Sequence, residues 1–167
     1  MEILIFAETD DKGNLKKDAY EIASYASKIS SENGGSVNAL CFNASNADSL
    51  SDYGVNKIIN SKNEELKNFE AGKYSKCISE VFNNEKCNLL VLSSSSNSKY
   101  IGGILSVLTD ASYVTNVISK PSYGEKMTVV RNTFTNKAFE KVELIKNKFI
   151  LAISKNSFGL KENPVKS

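Results

Sequence analysis

Between Cys87 and Leu108 the chain reads CNLLVLSSSSNSKYIGGILSVL, and no other stretch limits the possible folds as strongly. Leu89 to Leu92 is a continuous apolar run, too short for a helix, that stops at four serines. A strand buried on both faces of a parallel sheet ends in this way. From Ser98 onward Ile101, Ile104, Leu105 and Leu108 fall at helical spacing, with Ser98 placed to cap the first free amides. The unit is a central strand, a polar loop and a helix. In an open α/β sheet such a loop lies at the carboxyl end of the strands, where ligands and partner domains dock.

The residues before this unit repeat its logic. Ile3 to Ala7 reads as a first strand that closes on Glu8, Thr9, Asp10 and Asp11. A helix with Leu15, Ala19, Ile22, Ala23, Ala26 and Ile29 on one face then runs to Asn33-Gly34-Gly35. Val37 to Phe42 is a second strand. Asn46 is placed to cap a short helix with Ala47, Leu50 and Tyr53 facing inward, stopped by Gly54. Val55 to Ile59 is a third strand, and an irregular connection around Leu66 and Phe69 follows it. The next helix carries Tyr74, Cys77, Ile78, Val81 and Phe82 at i, i+3, i+4, i+7 and i+8. Four strand-then-helix units predict a three-layer α/β/α sandwich with a mainly parallel, Rossmann-like sheet. After Leu108 the runs Tyr113 to Ile118, Met127 to Phe134, Phe139 to Ile145 and Phe149 to Ile153 are of β type with no helix between them, and are expected to add antiparallel strands to the sheet or to form an extension along its edge. Asn156 to Ser167 reads as a linker or tail that points away from the fold.

Composition narrows the chemistry. The 167 residues fit one domain that buries its own core. A net charge of +2 with scattered lysines indicates neither nucleic acid nor an anionic membrane. No apolar run approaches the length of a membrane span, and MEILIFAE lacks the basic flank of a signal peptide. Cys41, Cys77 and Cys87 form no CxxC pair and sit in apolar patterns, which reads as buried thiols in a reducing, cytoplasmic setting. The Asn43-Ala44-Ser45 sequon then has no secretory context. Absence of histidine removes the Ser-His-Asp and Cys-His nucleophile arrangements and most catalytic zinc sites, so no catalytic residue is assigned.

Three groups of residues carry candidate sites. Ser94, Ser95, Ser96 and Lys99, at a helix start, can bind an anion through free amides, hydroxyls and the helix dipole, but small polar residues at this place more often simply end a strand and cap a helix. There is no GxxxxGK[ST], and no GxGxxG follows the first strand; Gly102-Gly103 is explained by close packing of the helix on the sheet. Glu8, Asp10 and Asp11 have metal-binding oxygens, but consecutive acids in a loop are ordinarily solvated, and no metal is expected. Arg131 is the only arginine, and its planar fork suits a fixed carboxylate or phosphate, in a neighbouring domain or on an adjacent strand.

Taken in order, the segments ILIFAETD, LKKDAYEIASYA, ADSLSDYGVNKII, LLVLSSSSNSKYIGGILSV, RNTFTNKAF and ISKNSFG resemble the amino-terminal domain of the electron transfer flavoprotein alpha subunit. The resemblance runs from Met1 to about Gly159. It implies an electron carrier subunit and not an enzyme. In that family alpha and beta subunits form a heterodimer that carries electrons on FAD from acyl-CoA and other dehydrogenases, as in fatty acid β-oxidation, towards a quinone-linked acceptor of the respiratory chain. FAD is held chiefly by a second, carboxyl-terminal domain of the alpha subunit, and AMP by the beta subunit. No ligand of either is therefore carried over to a position here, and no cofactor is expected on this chain alone. The resemblance divides the chain into a domain over residues 1–155 and a linker over 156–167 towards the FAD-binding domain. It makes the chain a scaffold that pairs with the beta subunit, through the face built by the late strands and the Arg131 to Phe139 segment, with Arg131, Thr133, Asn136 and Phe139 as its interface residues. The alternative is an adenine-nucleotide-binding module of the universal-stress type, with AMP or ATP at the loop after the fourth strand.

Overall fold

The computed structural model describes residues 1–165. Its strands are β1 (Ile3–Phe6), β2 (Val37–Phe42), β3 (Lys57–Ser61), β4 (Leu89–Ser93), β5 (Ser112–Val117), β6 (Met127–Thr133), β7 (Ala138–Leu144) and β8 (Phe149–Ile153). Its α-helices are α1 (Lys17–Asn33), α2 (Ala71–Asn84) and α3 (Ser96–Thr109), with 3₁₀ turns at Ala47–Tyr53 and Glu64–Leu66. All eight strands join one sheet in the order β3-β2-β1-β4-β8-β5-β6-β7.

The continuous apolar runs form the middle of this sheet because both of its faces are covered. Side chains alternate along β1: Ile3 and Ile5 pack with Ile22, Ala26 and Leu50 beneath α1 and the first 3₁₀ turn. Leu4 and Phe6 pack with Ile78, Phe82, Ile101 and Leu105 beneath α2 and α3. β4 lies between β1 and β8, parallel to both, and every one of its residues is buried. The expected three-layer, mainly parallel architecture is the one found.

The late strands differ in part from expectation. β6 pairs antiparallel with β5 and with β7, but β5 and β8 join the sheet parallel to the central strand. The reason is a register shift in β5 between Val114 and Val117, where Asn116 takes φ 54°. Beyond it the chain doubles back: the Tyr25 hydroxyl donates to the Ser119 carbonyl at 3.0 Å, and Tyr123 reaches Met1 beside the start of β1. The β6–β7 hairpin thus returns the chain to the amino edge of the sheet, and Phe149 starts β8 in the direction of β4.

Two caps are also reassigned. Ser95, not Ser98, is the cap of α3, its hydroxyl accepting from the Ser98 amide at 3.0 Å. Asn46 does not cap the 3₁₀ turn. Its side chain accepts from the Leu15 amide at 2.9 Å and donates to the Tyr20 hydroxyl at 3.1 Å, tying that turn to the start of α1.

The terminal segment does not leave the fold. Glu21, 6% exposed on α1, accepts from the amides of Asn156 (3.0 Å), Phe158 (2.9 Å) and Gly159 (3.3 Å). Ser24 exchanges hydrogen bonds with the backbone of Lys161, Asn163 donates to Ser27, and the Phe158 ring lies 4.5 Å from that of Tyr25. Residues 156–165 are a strap along α1; Lys166 and Ser167, the end of the expected tail, lie outside the described residues.

Candidate functional site

The chain leaves β1 through α1 towards β2 on one side, and leaves β4 through α3 towards β5 on the other. Between β1 and β4 the sheet therefore has its topological switch point, where an α/β fold opens its ligand crevice. Glu8 follows β1 into this position and is 6% exposed. Its Oε1 accepts from the hydroxyls of Ser98 at 3.2 Å and Ser93 at 3.4 Å, and from that of Ser95 as well. Its Oε2 receives Lys16 Nζ at 2.9 Å. The carboxylate thus sits where the amide dipoles of α3 and a lysine favour negative charge. What space remains beside it, bounded by Phe6, Thr9, Phe42, Tyr74 and Asn97, is about 20 Å³. That holds roughly one water, against the ~300 Å³ or more of a small-molecule site. Burial, and then the nearby Glu8 charge, push the Tyr74 hydroxyl above the usual tyrosine range.

The four serine-loop candidates do not converge on one point. Ser95 is committed to Glu8 and to capping α3. Ser96 is exposed. Ser94 and Lys99 line a neighbouring crevice of about 170 Å³ with Tyr113, Thr115 and Asn116, between α3 and the end of β5. The Ser94 hydroxyl oxygen is buried there without a hydrogen-bond partner among the described residues.

The acidic loop separates in the same way. Asp10 Oδ1 accepts from the amides of Lys12 and Asn14, both at 2.9 Å; the Asn14 bond is the larger cause holding its carboxyl below the usual aspartate range. Glu8 faces α3, and Asp11 is exposed. Among the described residues no group of three or more acidic or cysteine side chains is arranged to hold a metal. Cys41 and Cys87 are buried, which pushes their thiols up to about 11 and about 12.

Arg131, Thr133, Asn136 and Phe139 all lie on the β6–β7 hairpin. Arg131 Nε donates to Glu140 Oε2 on β7 at 2.7 Å, and Nη1 donates to Thr115 Oγ1 at 3.4 Å, so its carboxylate is on an adjacent strand. Thr133 closes the hairpin by donating to the Ala138 carbonyl at 3.4 Å. Asn136 is the third of three consecutive turn residues with positive φ, after Phe134 and Thr135. Phe139 is 73% exposed, and Phe134, within the same Arg131 to Phe139 segment, is 81% exposed.

A second surface was missed. Ile101 and Leu105 are fully buried under α3 as expected, but Ile104 and Leu108 are not; with Tyr100 and Val107 they form an exposed apolar stripe. The signal was present in the sequence, since Tyr100, Ile104, Val107 and Leu108 stand at i, i+4, i+7 and i+8 in a helix whose sole charged residue is Lys99.

No helix among the described residues is long and apolar enough to cross a membrane. No curated protein matches the chain. The family model described as "Electron transfer flavoprotein domain" matches residues 3–166, nearly the whole of it. A parallel α/β sheet whose switch-point crevice is filled by its own carboxylate, matched end to end by that model, belongs to the electron transfer flavoprotein domain family.

Proposed function

We propose that the chain is the amino-terminal domain of an electron transfer flavoprotein alpha subunit: a docking platform that pairs with the beta subunit and supports a flavin-bearing domain, without holding the redox group itself. The observation that carries this reading is the filled switch point: Glu8 takes the serine and lysine donors beside α3, where a phosphate would sit, and leaves about 20 Å³ directly beside it, so that the adjoining cleft of about 370 Å³ over Thr9, Gly13 and Asn43 has no free phosphate cradle at its edge. The same observation disfavours the adenine-nucleotide module. In this reading FAD is held by a domain beyond residues 156–167, and residues 1–155 serve cytoplasmic electron transfer from acyl-CoA and other dehydrogenases towards a quinone-linked acceptor.

The pairing surface is the outer face of the β6–β7 hairpin, with Arg131, Thr133 and Asn136 holding its shape and Phe139 and Phe134 presented to the partner. Two large exposed aromatic rings at the tip of an ordered hairpin are the kind of anchor that dominates protein interfaces. Size-exclusion chromatography of the chain mixed with an electron transfer flavoprotein beta subunit tests this. Co-elution is expected, with Phe139→Asp weakening the complex by roughly 30-fold, a hot-spot loss of about 2 kcal/mol. Separate elution of the two unmodified chains would overturn it.

A further inference from the structure

We propose that Glu8 is the resident anion of the switch-point crevice and the residue that excludes a phosphate group from it. The inference stands on the geometry of the crevice and holds whichever partner the domain meets. Four donors converge on one carboxylate: the hydroxyls of Ser93, Ser95 and Ser98, and the Lys16 ammonium at 2.9 Å. Ser95 and Ser98 at the start of the 14-residue helix α3, Ser93 at the end of β4 and Lys16 before α1 are a donor set that would serve a phosphate oxygen as well as a carboxylate oxygen. Here an internal group satisfies them. It is 6% exposed, and the space beside it, about 20 Å³, is too small for any second anion.

Charge and volume thus act in the same direction. A phosphate approaching this position meets a buried negative charge whose compensating donors are already engaged, and it finds no volume to occupy. Removing the carboxylate reverses both effects at once. Lys16 and the three hydroxyls lose their acceptor, and the space left by the side chain lies directly over the first turn of α3. Glu8 is thus a specificity residue: the fold's anion cradle is intact in this chain, and one side chain keeps phosphate out of it.

The test uses the full chain and inorganic phosphate as the probe. Thermal unfolding of the wild type, Glu8→Ala and Glu8→Gln is followed in potassium phosphate and in potassium chloride of equal ionic strength. Glu8→Ala is expected to show a saturable, phosphate-specific rise in Tm of several degrees, as linkage to a ligand of the native state requires. The wild type and Glu8→Gln, whose side chains still fill the position, are expected to respond alike to the two salts. Formate, which replaces the missing carboxylate, is expected to stabilise Glu8→Ala in the same saturable manner. Glu8→Ser keeps a hydroxyl in the cluster and is read in the same way if Glu8→Ala is too unstable to purify. Absence of any anion-specific stabilisation in both small variants overturns the proposal, as does a wild type that takes phosphate with the same midpoint as Glu8→Ala. Neither result bears on pairing with a beta subunit, which size exclusion reads separately.

Discussion

Two adjacent glycines in α3 show how differently neighbouring residues are constrained. A Cβ added at Gly102 would stand 2.1 Å from Tyr113 Cζ, whereas one added at Gly103 would meet nothing within 4 Å. The helix rests on β5 at Gly102, and Tyr113 is held there by burial and by its hydroxyl, which donates to the Ser98 carbonyl at 3.4 Å. Gly102→Ala is therefore expected to destabilise the fold by about 1–3 kcal/mol, the usual penalty for overpacking. Gly103→Ala should stabilise it by up to about 1 kcal/mol, through helix propensity alone. Urea unfolding of the two variants checks the difference, and equal effects would show that α3 does not pack as described. In the sequence the pair reads as a single close approach, and only Gly102 fulfils it, because helical spacing identifies a face only to within the angle between adjacent residues. Glu8 was harder to read. In sequence it is one of three nearby acids with the look of a solvated loop; its pairing with serines 85 to 90 positions away depends on β1 and β4 being neighbours.

At the scale of elements, the strands and helices through α3 were legible because each carries a complete periodic signal bounded by polar or glycine residues. The direction of β8 was not. It depends on Asn116 adopting positive φ and folding the hairpin back, a conformational choice that no apolar pattern records. The strap was misread for a related reason: residues 156–165 are polar and carry few apolar side chains, yet they dock through backbone amides on one buried carboxylate. Composition reports the side chains and is silent on amide donors. Glu21→Ala should release the strap, costing about 1–3 kcal/mol as three backbone amides lose a buried acceptor. Limited proteolysis checks it: cleavage within 156–163 should become much faster in Glu21→Ala while the sheet stays resistant. Unchanged protection would place the anchoring elsewhere, on Phe158 against Tyr25 or on Asn163 against Ser27.

Across the whole molecule, the features that fix the fold and those that bear on function have separate origins. The fold follows from apolar runs that only a doubly covered parallel sheet can bury. The proposed function rests on what that sheet leaves at its surface: a switch-point position occupied by Glu8, and apolar side chains exposed on α3 and on the β6–β7 hairpin. The role proposed for the chain, holding other parts of an electron carrier in place, needs no redox group on these residues. The most direct test of that account is the visible absorption spectrum of the purified chain after incubation with excess FAD and removal of unbound ligand. The account predicts no retained flavin absorbance, and a stoichiometric flavin band would contradict it.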